Sequence, residues 1–284
     1  MTLSLSSVPD VVTRIGSARD VAFGSYFLPH GAMRDALTGA AQRGAHVSVT
    51  LQADPYRNPF GGRCNTEAAR VLRAAGADVA LLPSDRAPFH LKAAVCDGVA
   101  YLDDRNWTKR GPEIVVADDD PQDVRLVRDA LAGRGGADPA LATRKDVALA
   151  REVELVEGAR GLPVTVETER VATSALTRAL QQHARAGAET TLVVARSSRR
   201  SRREAAAIAQ LAADGVVVRV GGSNQKLALA GDTAWIGSAN ATGASGRTAR
   251  QLDWGLLVRD RTVVGAVAAA LAHDAGERPA TERR

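Results

Sequence analysis

Lysine is nearly missing from this sequence. Of 37 basic residues only Lys92, Lys109, Lys145 and Lys226 are lysines, and the rest are arginines. Where so scarce a residue persists is informative. Cysteine is rarer still. Cys64 and Cys96 alone build no disulfide framework and form no C-x-x-C metal spacing, so a reducing, cytoplasmic setting is expected. No run of 18 apolar residues occurs, which excludes an evident membrane-spanning helix. The first ten residues lack the basic stretch and long apolar run of a secretory leader. Aromatic residues make up 4%, leaving few platforms on which bases could stack. What is present is an ordinary globular balance, 45% hydrophobic and 24% charged, in 284 residues, enough for one large or two modest domains. The net charge of +5 favours anionic partners, whether nucleic acid, phospholipid headgroup or phosphorylated small molecule, without choosing among them.

The chain is written twice. In the first half a strand-like run, 21–27, leads to Leu28-Pro29-His30-Gly31 and a helical pattern over 32–43. A strand at 46–51, a loop over 54–65, a helix at 66–75 and a strand at 78–82 follow. Then come Phe89-His90-Leu91-Lys92, a hairpin reaching Trp107, a strand at 113–117 and a helix from Pro121. The second half repeats the order: strand 164–169, helix 174–186, strand 191–195, a Ser/Arg loop at 197–203, helix 204–213 and strand 216–220. Asn224-Gln225-Lys226 then opens a hairpin to Asn240, followed by strand 254–258 and helix 263–273. His90 aligns with Asn224, Lys92 with Lys226 and Asn106 with Asn240, each 134 residues apart. Alternating strands and helices predict an α/β fold with a sheet in each half. The Gly/Ala/Asp-rich piece 133–140 reads as the linker between residues 1–135 and 136–284.

The chemistry-bearing segment is Phe89 to Asn106, of the form H-x-K-x4-D with a downstream asparagine. Residues i and i+2 of a strand face one way, so His90 and Lys92 project together. An imidazole that attacks phosphorus gains from a compact cation that draws in the phosphate. This segment resembles the HKD motif of the phospholipase D superfamily. Asn224 to Asn240, ending G-S-A-N, resembles its second copy, and Tyr26-Phe27-Leu28-Pro29 resembles that family's first strand. The resemblance covers nearly the whole chain. It implies two phospholipase D-like α-β-α halves related by pseudo-twofold symmetry, a mixed sheet in each, packed around one shared cleft. It also implies a metal-free, cofactor-free mechanism. His90 would form a phosphohistidine, Lys92 and Lys226 would hold phosphate oxygens with Asn106 and Asn240, and Ser238 would add a hydroxyl. An acidic residue on the next strand orients the histidine in this family, which points to Glu113, with Asp253 its counterpart. Asp97 matches the motif aspartate, expected to be a structural anchor.

The pattern breaks in the second copy. Asn224 stands where a histidine is expected, and a carboxamide cannot serve as general acid. Gly231 replaces the second motif aspartate. In the first copy Asp103-Asp104 replaces the usual Gly-Ser, and two carboxylates beside a phosphate repel it unless they point away. His30 is a candidate substitute acid. Arg196, Arg199, Arg200, Arg202 and Arg203 crowd one loop and lean the reading slightly towards a nucleic-acid backbone over phospholipid. The expected activity is a phosphodiesterase of the phospholipase D or nuclease type, acting as a monomer. The alternatives are a phosphatidyltransferase resembling cardiolipin synthases and a catalytically impaired phosphate-binding protein. Asn224→His is expected to raise the rate if the second half-site keeps its geometry.

Overall fold

The structure is a computed structural model that describes residues 3–55, 59–83, 85, 88–107, 114–195 and 201–276. The chain separates into two compact units. The first includes Ile114–Lys145 and Gly246–Trp254 together with the described residues before them. The second includes Asp146–Ser245 and the described residues from Gly255 on. In chain order the first unit's elements are β1 (Leu3–Ser6), α1 (Val8–Ser17), β2 (Asp20–Ser25), α2 (Ala32–Gln42), β3 (His46–Gln52), α3 (Pro59–Ala74), β4 (Asp78–Leu82), β5 (Ala93–Cys96), β6 (Val99–Asp103), β7 (Val115–Asp118), α4 (Pro121–Leu131) and β8 (Leu141–Ala142). From Lys145 follow α5 (Lys145–Gly158), β9 (Val164–Thr168), α6 (Ala175–Arg185), β10 (Thr190–Val194), α7 (Arg202–Ala213), β11 (Val217–Val220), β12 (Leu227–Ala230), β13 (Thr233–Gly237), β14 (Gly255–Val258) and α8 (Arg261–Ala275).

The sheets repeat one topology. Read from one edge, the first unit runs β4-β3-β2-β5-β6-β7-β1, and the second runs β11-β10-β9-β12-β13-β14. In each, the first three strands pair in parallel and the next are antiparallel. The parallel pairs need helical crossovers, which α2 and α3, then α6 and α7, supply. The antiparallel pairs need only tight turns. The β5–β6 turn is Asp97-Gly98, both left-handed at φ 48° and 87°, as a two-residue hairpin of the Asp-Gly type requires. Gly231 holds the equivalent place in the second unit at φ 58°.

Local signals explain the helix starts. Asp120 caps α4 by accepting from the backbone N–H of Gln122 and Asp123, and Asp260 caps α8 in the same way at Thr262 and Val263. Ser174 and Thr177 form a reciprocal capping box on α6. In the first unit α1 and α2 lay Val11, Ile15, Leu37 and Ala40 on a core that includes Phe23, Val49 and Trp107. Gly24 sits where β2 passes closest to its cover. A Cβ there would lie 2.4 Å from Leu131 Cδ2 and 2.7 Å from Phe89 Cζ. Three features depart from the sequence expectation. The span 54–65 is not one loop, because α3 begins at Pro59 and carries Gly61 and Gly62 in its first turns. The β1–α1 pair and α5 are additional elements.

Candidate functional site

His90 lies just before β5, on a segment fastened to residue 252 of the same unit. Its backbone N–H donates to Leu252 O at 2.9 Å, and Leu252 N–H donates to Pro88 O at 3.0 Å. Phe89 bridges Leu252 in parallel and receives a further anchor, since its N–H donates to Gln52 Oε1 at 2.7 Å. This seam sets Asp253 beside the imidazole. Asp253 Oδ1 lies 2.6 Å from His90 Nδ1, and Gln251 Nε2 donates to the other carboxylate oxygen at 2.6 Å. A carboxylate only accepts, so the contact places a proton on Nδ1 and leaves the lone pair of the neutral ring on Nε2. Asp253 has no exposure to solvent. Burial alone would raise its pKa, but His90, Lys92 and Lys145 overcome that and hold the carboxyl well below the usual carboxylate range. Lys145 is itself pushed down by burial, opposed by Asp253.

Lys92 is fully enclosed, with 1% of its surface exposed. Its Nζ stands 3.0 Å from His90 Nε2 and 2.8 Å from Nδ1. With Nδ1 donating to Asp253, the ammonium's hydrogen bond falls on the Nε2 lone pair. Tyr26 completes the cluster, its ring edge-on to His90 at 4.9 Å and 5.9 Å from Lys92 Nζ. A cavity of about 150 Å³ opens on the ring and is lined by Tyr26, Gln52, Asp54, Pro88, His90, Thr248 and Gln251.

Asp97 faces away from this cavity. Its Oδ1 accepts from the backbone N–H groups of Arg19 and Asp20 at 3.0 Å each, tying the β5–β6 turn to the start of β2. Asn106 lies in the turn after β6, between Asp103 and Trp107. Asp103 and Asp104 are both buried. Burial, and then the neighbouring Asp104, push the Asp103 carboxyl well above its ordinary value, and it accepts from Trp107 N–H at 2.7 Å. Asp104 faces Arg105 at 3.5 Å. Glu113 and Arg196, Arg199 and Arg200 lie outside the described residues, whereas Arg202 and Arg203 are exposed on the first turn of α7. His30 is an exposed residue ahead of α2 and is not part of the lining of the His90 cavity.

The second unit reuses this frame with different contents. Ser25 Oγ donates to Phe27 O, and Thr168 Oγ1 donates to Arg170 O, so the ends of β2 and β9 correspond. By that correspondence Glu169 takes the place of Tyr26. Glu169 Oε2 lies 3.3 Å from Lys226 Nζ, and Lys226 also donates to Asn224 O at 2.7 Å. Asn224 is left-handed at φ 71°, whereas His90 is not. Strand alternation is thus broken at Asn224, and its side chain does not stand to Lys226 as His90 stands to Lys92. Asn240 Oδ1 accepts from Arg170 N–H at 3.1 Å, and Ser238 is buried behind β13. Tyr26 and Asp54 were not identified as site residues from the sequence. The available signal was position alone, since each lies just past the C-terminal end of a parallel strand, where ligands of open α/β sheets bind.

No protein-family model matches the chain, and no curated protein matches it. Solved structures do. The polyphosphate kinase of Porphyromonas gingivalis superposes over 95% of this chain with a TM-score of 0.66 at 16% identity. Over nearly its whole length the chain shares the fold of that kinase. It spans half the length of that kinase. Nuc of Salmonella typhimurium, a phospholipase D family member, aligns with 47% of this chain and 93% of its own at 18% identity and a TM-score of 0.39. NucT of Helicobacter pylori aligns with 46% of this chain and 94% of its own at 20% identity and a TM-score of 0.39. Among the described residues no helix is long and apolar enough to cross a membrane, and no three His, Cys, Asp or Glu side chains are grouped to hold a metal ion.

Proposed function

We propose that the chain is a phosphodiester-processing enzyme that works through a phosphohistidine on His90. The observation that carries this is the Asp253–His90–Lys92 cluster, with a buried carboxylate on Nδ1 and a buried ammonium on Nε2. An anionic phosphate oxygen competes for the Lys92 ammonium. As it does so it uncovers the Nε2 lone pair beside the phosphorus. Asp253 stabilises the imidazolium that would otherwise form at a cost, and Asn106 is assigned to the phosphate oxygens. Lys226, Asn240, Ser238 and Asn224 are proposed to add to phosphate binding, and Glu113 to support the histidine. Among diesters, a nucleic-acid backbone is favoured over a phospholipid, on the basic balance of the chain and on Arg202 and Arg203.

One observation favours a second reading, a phosphate-binding protein with impaired chemistry. Lys226 is ion-paired with Glu169, and Asn224 is turned out of strand geometry. A single experiment separates the two. The protein is incubated with bis(p-nitrophenyl) phosphate and with labelled DNA, RNA and phosphatidyl diesters, quenched, and searched for an acid-labile phosphoryl adduct. An adduct on His90 with turnover, both lost in His90→Ala, is the expected result. Binding without turnover in the wild type overturns the enzyme reading in favour of the second.

A further inference from the structure

The proposed chemistry leaves one role vacant in this sequence. Expulsion of an alkoxide from phosphorus needs an acid at the leaving oxygen, and Asn224 holds no transferable proton. We infer that Asp54 is that general acid, an inference that rests on the proposed role of His90. Asp54 is on the wall of the same cavity as the imidazole, and within one unit of the chain. Three of the seven lining residues can titrate: Tyr26, Asp54 and His90. His90 is committed as nucleophile. Tyr26 is engaged through its ring with His90 and Lys92, which leaves Asp54 as the remaining titratable group on the wall.

Asp54 is also placed with care. Gln52 Nε2 donates to Asp54 Oδ1 at 2.6 Å, while Gln52 Oε1 accepts from Phe89 N–H at 2.7 Å. Gln52 is 1% exposed, so one buried carboxamide sets the carboxyl against the backbone of the segment that carries His90. Such a bridge orients a functional group rather than merely filling a loop. In the competent state Asp54 is the protonated partner; in the first step the Nε2 lone pair forms the P–N bond, the P–O bond to the leaving alcohol breaks, and the protonated Asp54 carboxyl gives its proton to that oxygen. In the second, the Asp54 carboxylate takes a proton from water or an acceptor alcohol. The incoming oxygen forms the new P–O bond and the P–N bond breaks, which returns both residues to their starting state.

The test exploits the leaving group. A p-nitrophenolate leaves without protonation, whereas an alkoxide does not. Asp54→Asn is compared with the wild type on bis(p-nitrophenyl) phosphate and on a dialkyl diester such as a dinucleotide, with His90→Ala as reference. The expected result is a loss of about 10²-fold or more on the dialkyl diester, with a change of only a few-fold on the aryl diester. An equal loss on both, or no loss on either, overturns the assignment, and so does a wild type that turns over only the aryl ester. Failure of His90→Ala to affect the aryl reaction is a different outcome, and it removes the proposed function itself.

Discussion

At the scale of residues, the histidine's electrostatic partner decides the chemistry. Asp253 is buried, ionised and hydrogen-bonded to Nδ1, so Asp253→Asn keeps the shape and removes the charge. It also allows the tautomer with its proton on Nε2. A fall in kcat of about 10²–10⁴-fold with little change in KM is expected on an aryl phosphodiester. The lowered pKa of Asp253 has a defined sign. Its contribution to stability is complete above its unfolded pKa, near 4, and is lost only as pH falls below that. Asn224→His is expected to give no gain. A left-handed backbone at φ 71° aims the new imidazole away from the line that brings His90 onto Lys92, and Lys226 already has Glu169. Steady-state rates on aryl and dialkyl diesters check this, and an increase would show that the peptide can turn to accommodate the ring.

At the scale of elements, α4 carries a second acidic group with the opposite shift. Asp123, buried on its first turn, is pushed up to about 9 by burial, then by hydrogen bonds with Asp138 and Asp118. The folded state therefore holds a proton that the unfolded chain, with a pKa of 3.8, has released. Stability falls as pH rises from about 4 to about 9. Asp123→Asn, which keeps a donor without titrating, should flatten that slope and leave the variant more stable than the wild type at pH 8.5. Urea denaturation across pH reads the difference.

The elements were legible where local chemistry is strong. Asp120-Pro121 and Asp260 announce their helices, and alternation around His90 and Lys92 announces a strand. The start of α3 was hidden by Gly61 and Gly62, which mimic a loop, and α5 by the near absence of an apolar stripe, with the acidic residue Glu152 on its buried side. In the site, His90 and Lys92 were visible because the motif sets them two residues apart, and the structure places both on the segment that leads into β5. The Asp253 contact spans 163 residues and depends on the Pro88–Leu252 seam, which no local pattern encodes. Asp54 was hidden for a related reason: its neighbour Gln52 ties it to the His90 segment only through Phe89, 37 residues further along the chain.

At the scale of the whole molecule, the charge balance sets how it meets a polyanion. With +5 overall and arginine as nearly all its cations, binding of a single-stranded oligonucleotide should release counterions. Affinity is expected to fall about tenfold or more between 50 and 200 mM salt, measured by fluorescence anisotropy with catalysis silenced in His90→Ala. A flat salt response would point away from nucleic acid and towards a small or lipid diester.

The Gly246–Trp254 segment belongs with the first unit although it follows Asp146–Ser245 of the second in the chain. A gene cut at the linker would release a polypeptide with His90 but without Asp253, the carboxylate that meets its Nδ1. The two repeats of this sequence are thus not separable at the linker without loss to the first.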